Sequence, residues 1–200
     1  MEKTKSILEK YFNAESLLLG WERYISSTGF EYKDLAGVQR YQTDLNENLR
    51  NLSNYIIAGK YKPTRPFKYF EPKASGMQRT KSVLIIEDAI VYQAIVDTIA
   101  YSNYDELTSY CNEFVFGSVL HPNVKLGVKL LDEDVPKFYF FKYYFPLYQK
   151  FLEGVNLELD NEEVVYKFET DITGFFDCIP HSILSNYLSE FDVEDIILIF

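Results

Sequence analysis

Apolar positions recur along this chain at two different spacings, and the change of spacing divides it. Through residues 1–25, Ile7, Tyr11, Leu17, Leu18, Trp21 and Ile25 fall at near-helical intervals, which predicts one long amphipathic helix. SSTGFEYKD reads as a loop. A second helix is predicted with Leu45, Leu49, Leu52 and Ile56 on one face and Gly59 just past its end. Pro63, Pro66 and Pro72 then force extended chain, and Ser75-Gly76 is a turn signal, so 67–73 and 79–85 read as the arms of a β-hairpin. Asp88 is placed to cap the next helix, whose buried face would carry Ile90, Val91, Ala94, Ile95 and Ile99.

The second half is less regular. CNEFVFGSVL suggests a short strand, and HPNVKLG a loop. The aromatic-rich stretch 137–153 reads as helix, kinked or divided by Pro146, and the acidic run LELDNEE as a turn. VVYKFETDI alternates as a strand, and a helix is predicted to begin near Pro180. The chain stops inside DIILIF with no capping residue, which predicts a truncated product or a chain whose remainder has been removed.

Charge changes this picture more than composition does. The net charge of −10 argues against nucleic acid until its distribution is considered. Residues 1–100 carry +2 and residues 101–200 carry −12. Lys60, Lys62, Arg65, Lys68, Lys73, Arg79 and Lys81 are opposed within their stretch by Glu71 alone. A basic strip beside an acidic body suits a protein that grips phosphates in one place and divalent metal in another, and equally suits a solvated loop with ordinary surface lysines. Two cysteines, Cys111 and Cys178, are too few for a disulfide framework. With no run of about 18 apolar residues and no signal-like amino terminus, the expectation is a cytoplasmic protein with no membrane partner.

The sharpest chemistry lies in VVYKFETDITGFFDCIPHSIL, residues 164–184. A strand would deliver Asp171 at its carboxyl end, followed by a turn with Thr173 and Gly174, paired Phe175 and Phe176, then Asp177 and a helix. A carboxylate beside exposed backbone carbonyls is a reasonable seat for Mg²⁺, a hard cation that takes oxygen ligands. Taken alone, the same spacing more often means one aspartate in a turn and one helix cap.

The pattern D-I-x-x-F-F-D-x-I-x-H-x-x-L resembles the first palm motif of reverse transcriptases, particularly the group II intron, retron and bacterial defence-associated branches. The resemblance implies that Asp171 binds both catalytic metals, two Mg²⁺ ions in the complete enzyme, and that Ile172 adds its backbone carbonyl. It implies that Phe176 is the steric gate, a ring beneath the sugar that leaves no room for a 2′-hydroxyl, and that Asp177 supports the turn. Upstream, Pro72-Lys73-Ala74-Ser75-Gly76-Met77-Gln78-Arg79, then Asp88 and Gln93, is similar to the family's fingers segment P-K-x-x-G-x-x-R and the helix after it. That likeness implies that Lys73 and Arg79 reach the triphosphate of an incoming dNTP, as ammonium and guanidinium groups are suited to do.

The resemblance spans about 45–190. It implies an α+β, helix-rich chain of right-hand polymerase fingers with an incomplete palm. A helical region over 1–60 would be followed by fingers over 61–163, with an aromatic-rich helical insertion at about 130–160, and by the start of the palm at 164–200. The implied activity is nucleotidyl transfer from dNTPs on an RNA template, extending a protein or nucleic-acid primer. FVFGSVL departs from the family's Y-G-F-R, since no arginine follows Gly117. That departure and the aromatic insertion incline toward the abortive-infection or anti-phage defence branch. The Tyr-x-Asp-Asp hairpin that carries the other metal carboxylates is absent from these 200 residues, so this chain alone is expected to be inactive. The alternative is a non-catalytic nucleic-acid-binding or assembly module, with the aromatic block 138–151 as core or as a homo-oligomer contact.

Overall fold

The computed structural model describes residues 2–27, 34–73, 76–109, 111, 115–134, 138–161, 163–168, 170 and 178–189. It is an α+β, helix-rich chain with a two-stranded antiparallel sheet. The first predicted helix is two. Helix α1 covers Glu2–Tyr11 and α2 covers Ala14–Ser26, because Asn13 interrupts with extended backbone and its side chain accepts from the Ser16 amide at 2.9 Å. An asparagine there satisfies an amide of the new helix that would otherwise lack a partner. The break also shifts the apolar face, so Leu8 and Phe12 are buried where Ile7 and Tyr11 were expected. The Phe12 carbonyl, freed at the break, accepts from the buried Ser53 hydroxyl at 2.7 Å.

Helix α3, Leu35–Thr43, is capped by Asp34, whose carboxylate accepts from the Gly37 amide at 2.9 Å. Helix α4, Leu45–Ile57, ends as expected at Gly59. With φ +65, Gly59 lets its own amide reach the Ile56 carbonyl and the Lys60 amide the Tyr55 carbonyl, so orphan carbonyls are satisfied. Strands β1, Phe67–Pro72, and β2, Gln78–Val83, form the hairpin close to its predicted bounds. Helix α5, Ile86–Ser102, crosses the others and supplies Ile90, Val91 and Ala94 to a core shared with Leu17, Trp21, Leu49, Leu52 and Ile56. At about 1.5–3 kcal/mol per fully buried large apolar side chain, this cluster is the main source of stability. Asp88 lies inside α5 rather than capping it, since the helix has already begun at Ile86.

After the short α6, Tyr104–Thr108, the described residues of the predicted strand form isolated bridges, one of them Cys111 with Val115, and the predicted loop is helical. Leu120 and Phe141 form a single antiparallel bridge, flanked by the His121 amide on the Phe140 carbonyl and the Lys142 amide on the Val119 carbonyl, each at 2.8 Å. The expected loop is a 3-10 run over Pro122–Asp132, started by Pro122 and bent at Gly127, where φ is +54. Helix α7, Tyr144–Leu159, contains Pro146 in its first turn, where no intrahelical amide is needed, so the proline starts the helix instead of kinking it. The same helix runs through Leu159, so the first residues of the expected turn are helical. No strand forms among the described residues of 164–170, where Val165, Tyr166 and Phe168 are exposed and no neighbouring strand offers a ladder. Helix α8, His181–Ser189, begins beside Pro180 as predicted.

One polar contact joins these parts. Arg23 on α2 places Nε 2.6 Å from an Asp97 carboxylate oxygen on α5, both side chains being almost wholly buried. Its Nη1 donates to the Tyr139 carbonyl at 2.6 Å, and its guanidinium carbon lies 5.3 Å from the Phe140 ring centroid. The aromatic segment after residue 137 is thereby fastened to the helical core. Removing one partner of a buried pair strands the other charge, so Arg23→Met should cost about 3–5 kcal/mol in urea unfolding. Arg23→Met with Asp97→Leu should cost less than Arg23→Met alone; additive losses would show that the pair is not coupled.

Burial pushes the Asp97 carboxyl up to about 6, against the opposing pull of Arg23 and Gln93. The folded chain therefore holds more protons than the unfolded chain between roughly pH 4 and 6. Stability should fall as pH rises through that window. The stability difference between wild type and Asp97→Asn should carry this slope and be flat above about pH 7. A difference without slope between pH 4 and 6 would contradict the shift.

Candidate functional site

The hairpin register pairs Glu71 with Arg79 and Tyr69 with Lys81. Beyond the paired strands, the Lys73 amide donates to the Met77 carbonyl at 2.7 Å, which continues the ladder by one step. Gly76, with φ +81, then turns the chain, its amide donating to the Lys73 carbonyl at 2.9 Å. Strand alternation puts Lys73, Arg79 and Lys81 on one face. Lys73 and Arg79 are both exposed at the tip, whereas Lys81 is half-buried and lies 3.7 Å from Glu71. Two predicted nucleotide-binding residues thus share one end of one element. Asp171, Ile172, Phe176 and Asp177 lie outside the described residues, as do Ala74 and Ser75.

Two strands alone are marginally stable in water, so the hairpin needs an anchor. Asp88 provides one. Its carboxylate, buried in the first turns of α5, accepts from the Tyr61 hydroxyl at 2.5 Å, the Thr64 hydroxyl at 2.5 Å and the Thr64 amide at 2.9 Å. Hydrogen bonds to a charged acceptor contribute roughly 1.5–3 kcal/mol each, enough together to offset burying the carboxylate. Burial and this bond push the Tyr61 phenol well above its ordinary range. The connector from Gly59 to Pro66, with exposed Lys60, Lys62 and Arg65, is therefore tied to α5 while its cations face solvent. Sequence reading missed this role because the three groups are 24 to 27 residues from Asp88 and carry no local pattern.

At its base the hairpin borders a cleft of about 990 Å³, with Phe67 and Tyr69 on one side, Arg40 and Tyr41 of α3 on another, and Glu87 at the start of α5. The Tyr41 hydroxyl is buried without a hydrogen-bond partner among the described residues, and its ring stacks on Trp21 at 5.5 Å. Burial, with Glu87 nearby, raises its pKa above the ordinary phenol value. Gln93, the other polar residue of the upstream pattern, donates to Asp97 at 3.3 Å and so belongs to the buried network of the core.

Among the described residues no group of three or more His, Cys, Asp or Glu is placed to hold a metal ion. Cys111 is half-buried, Cys178 is exposed, and both are free thiols. Among the same residues no helix is long and apolar enough to cross a membrane. Helix α7 leaves a broad aromatic surface uncovered, with Tyr143, Tyr144 and Tyr148 more than half exposed. Comparison with known proteins finds no matching family model, no matching curated protein and no matching solved structure.

The anchoring of the hairpin has a direct consequence. Asp88→Ala should leave the Thr64 amide and the Tyr61 hydroxyl without their acceptor and cost about 1–3 kcal/mol. Hydrogen exchange at Thr64 should accelerate strongly while amides in the middle of α4 keep their protection relative to global stability. Unchanged exchange at Thr64 would show that the clamp does not hold the connector.

Proposed function

We propose that this chain is the fingers and the beginning of the palm of a reverse-transcriptase-type DNA polymerase. The observation that carries the reading is the ordered set from Pro72-Lys73 and Arg79 to Asp171, Phe176 and Asp177. A pair of exposed cations at the tip of an anchored hairpin supports it, because a triphosphate is bound by such groups in charge-assisted contacts. In this reading Lys73 and Arg79 hold the triphosphate of a dNTP, and Phe176 excludes a ribose. Asp171 and the Ile172 carbonyl are ligands for Mg²⁺, which when bound lowers the cost of the negative charge developing on the phosphates. Asp177 keeps the turn in shape. The template is RNA, and the primer is nucleic acid or protein. The aromatic insertion supports assignment to the defence-associated branch.

A second reading is a non-catalytic assembly module, favoured by the exposed aromatic face of α7. Such a face commonly serves an interface between chains. The two readings separate in a primer-extension assay. In the full-length protein, Asp171→Asn should abolish dNTP incorporation, by three orders of magnitude or more on the scale of lost metal catalysis, with the circular dichroism spectrum unchanged. Undiminished incorporation by the variant would remove Asp171 from the site. Assembly into oligomers, with no incorporation by the wild-type protein, would favour the second reading.

A further inference from the structure

Behind the Arg23–Asp97 pair lies a second cavity, of about 310 Å³, bounded by the end of α1, the start of α2, the second half of α5 and the 3-10 run. Its walls are apolar, formed by Tyr11, Leu19, Ala94, Tyr101, Leu126 and Val128. Ser16, Thr98 and Ser102 also line it, together with three charged residues. Asp97 lines it and is 6% exposed, while Lys10 and Lys129 line it and are exposed. A cavity of this size with an apolar wall and a few convergent polar groups has the make-up of a small-molecule site.

The chemistry of those groups selects the ligand. One Asp97 oxygen faces Arg23 at 2.6 Å, and the other accepts a long 3.3 Å bond from Gln93. A carboxylate has about four acceptor positions, so Asp97 retains capacity for one more donor. Thr98 is already committed, its hydroxyl donating to the Ala94 carbonyl at 2.9 Å. The Lys10 ammonium lies 4.6 Å from the Tyr11 ring centroid and donates to the Tyr11 hydroxyl at 2.9 Å, which holds its charge over the aromatic wall. The bend at Gly127 is required here, since a Cβ would come within 3.1 Å of the Tyr101 ring, so the wall and the backbone of the 3-10 run are fitted to each other.

We propose that this cavity binds a small amphipathic acid. Its flat apolar body lies against Tyr11 and Tyr101, its anionic group is met by Lys10 and Lys129, and a hydroxyl or amine at its far end donates to Asp97. The site is separate from the hairpin tip and does not depend on the polymerase reading.

The probe is 4-hydroxyphenylacetate, which has both ends, compared with phenylacetate, which lacks the donor, and 4-hydroxyphenylethanol, which lacks the anion. Binding to the full 200-residue chain is followed by amide chemical shifts. The first compound should bind with a dissociation constant of about 1 mM or below and shift amides of 97–102 and 126–129, and each control should bind about tenfold more weakly. Leu126→Trp should fill the cavity and abolish binding. Lys10→Glu with Lys129→Glu, both on the surface, should weaken the acid and leave 4-hydroxyphenylethanol unaffected, a readout that does not depend on repacking. No saturable shifts by about 10 mM, equal binding of all three compounds, or indifference to the lysine reversal would each overturn the proposal.

Discussion

Helices α2 and α5 approach so closely that Gly20 has no room for a side chain: a Cβ there would come within 2.8 Å of the Ile90 carbonyl oxygen. Helices α1 and α4 and the 3-10 run pack against this pair. Trp21 and Leu17 are buried on one side of it, against α4 and α5. On its other side Arg23 and Asp97 meet out of water, and the arginine continues to the carbonyls at 138 and 139. An ion pair so deeply buried is a poor source of net stability, because desolvation consumes most of its attraction. Arg23 bonds one carboxylate and reaches two carbonyls, and so links α2, α5 and the aromatic segment. Its Nη2 still has no hydrogen-bond partner among the described residues, which adds to the cost of keeping the guanidinium buried.

The hairpin illustrates the opposite problem, a charged and exposed element that must nevertheless be held. Its cations repel one another, and its apolar residues Phe67 and Phe70 are largely in solvent, so packing contributes little. The buried carboxylate of Asp88 fixes the connector that leads into the hairpin through three directed hydrogen bonds from Tyr61 and Thr64. Local order is thus achieved without covering the tip. For the proposed phosphate contact a fixed base is an advantage, since ordering a flexible loop on binding would subtract from affinity.

Much of this was legible in the sequence where the signal is local. The prolines and Ser75-Gly76 located the hairpin, Gly59 located the end of α4, and Pro180 the start of α8, because each acts through its own backbone. What failed was non-local or ambiguous. Asn13 reads equally well as an exposed helical residue or as a cap, so one helix was expected where two form. Pro146 reads as a kink or a division of the helix, although a proline in a first turn is harmless, and periodicity does not tell which turn it occupies. Residues 121–127 look like a loop because Pro122, Asn123 and Gly127 are turn formers, yet Val124 and Leu130 are wholly buried and the segment is a 3-10 run. The contacts of Arg23, Asp97 and Asp88 carry no local signal, because most of their partners are distant in the chain, and Asp88 read only as a helix cap or part of the fingers pattern. Of the candidate site, Lys73 and Arg79 are found together at one tip, while the residues from Asp171 to Asp177 rest on the motif alone.

Equilibrium binding of a dNTP tests whether the hairpin tip grips phosphate as proposed. With Mg²⁺ present, dATP should bind the full-length protein with an affinity that falls at least tenfold in Lys73→Ala or Arg79→Ala and falls further with added salt. Lys60→Ala, on the anchored connector, should change it little. Equal dATP affinity for wild type, Lys73→Ala and Arg79→Ala would contradict the account.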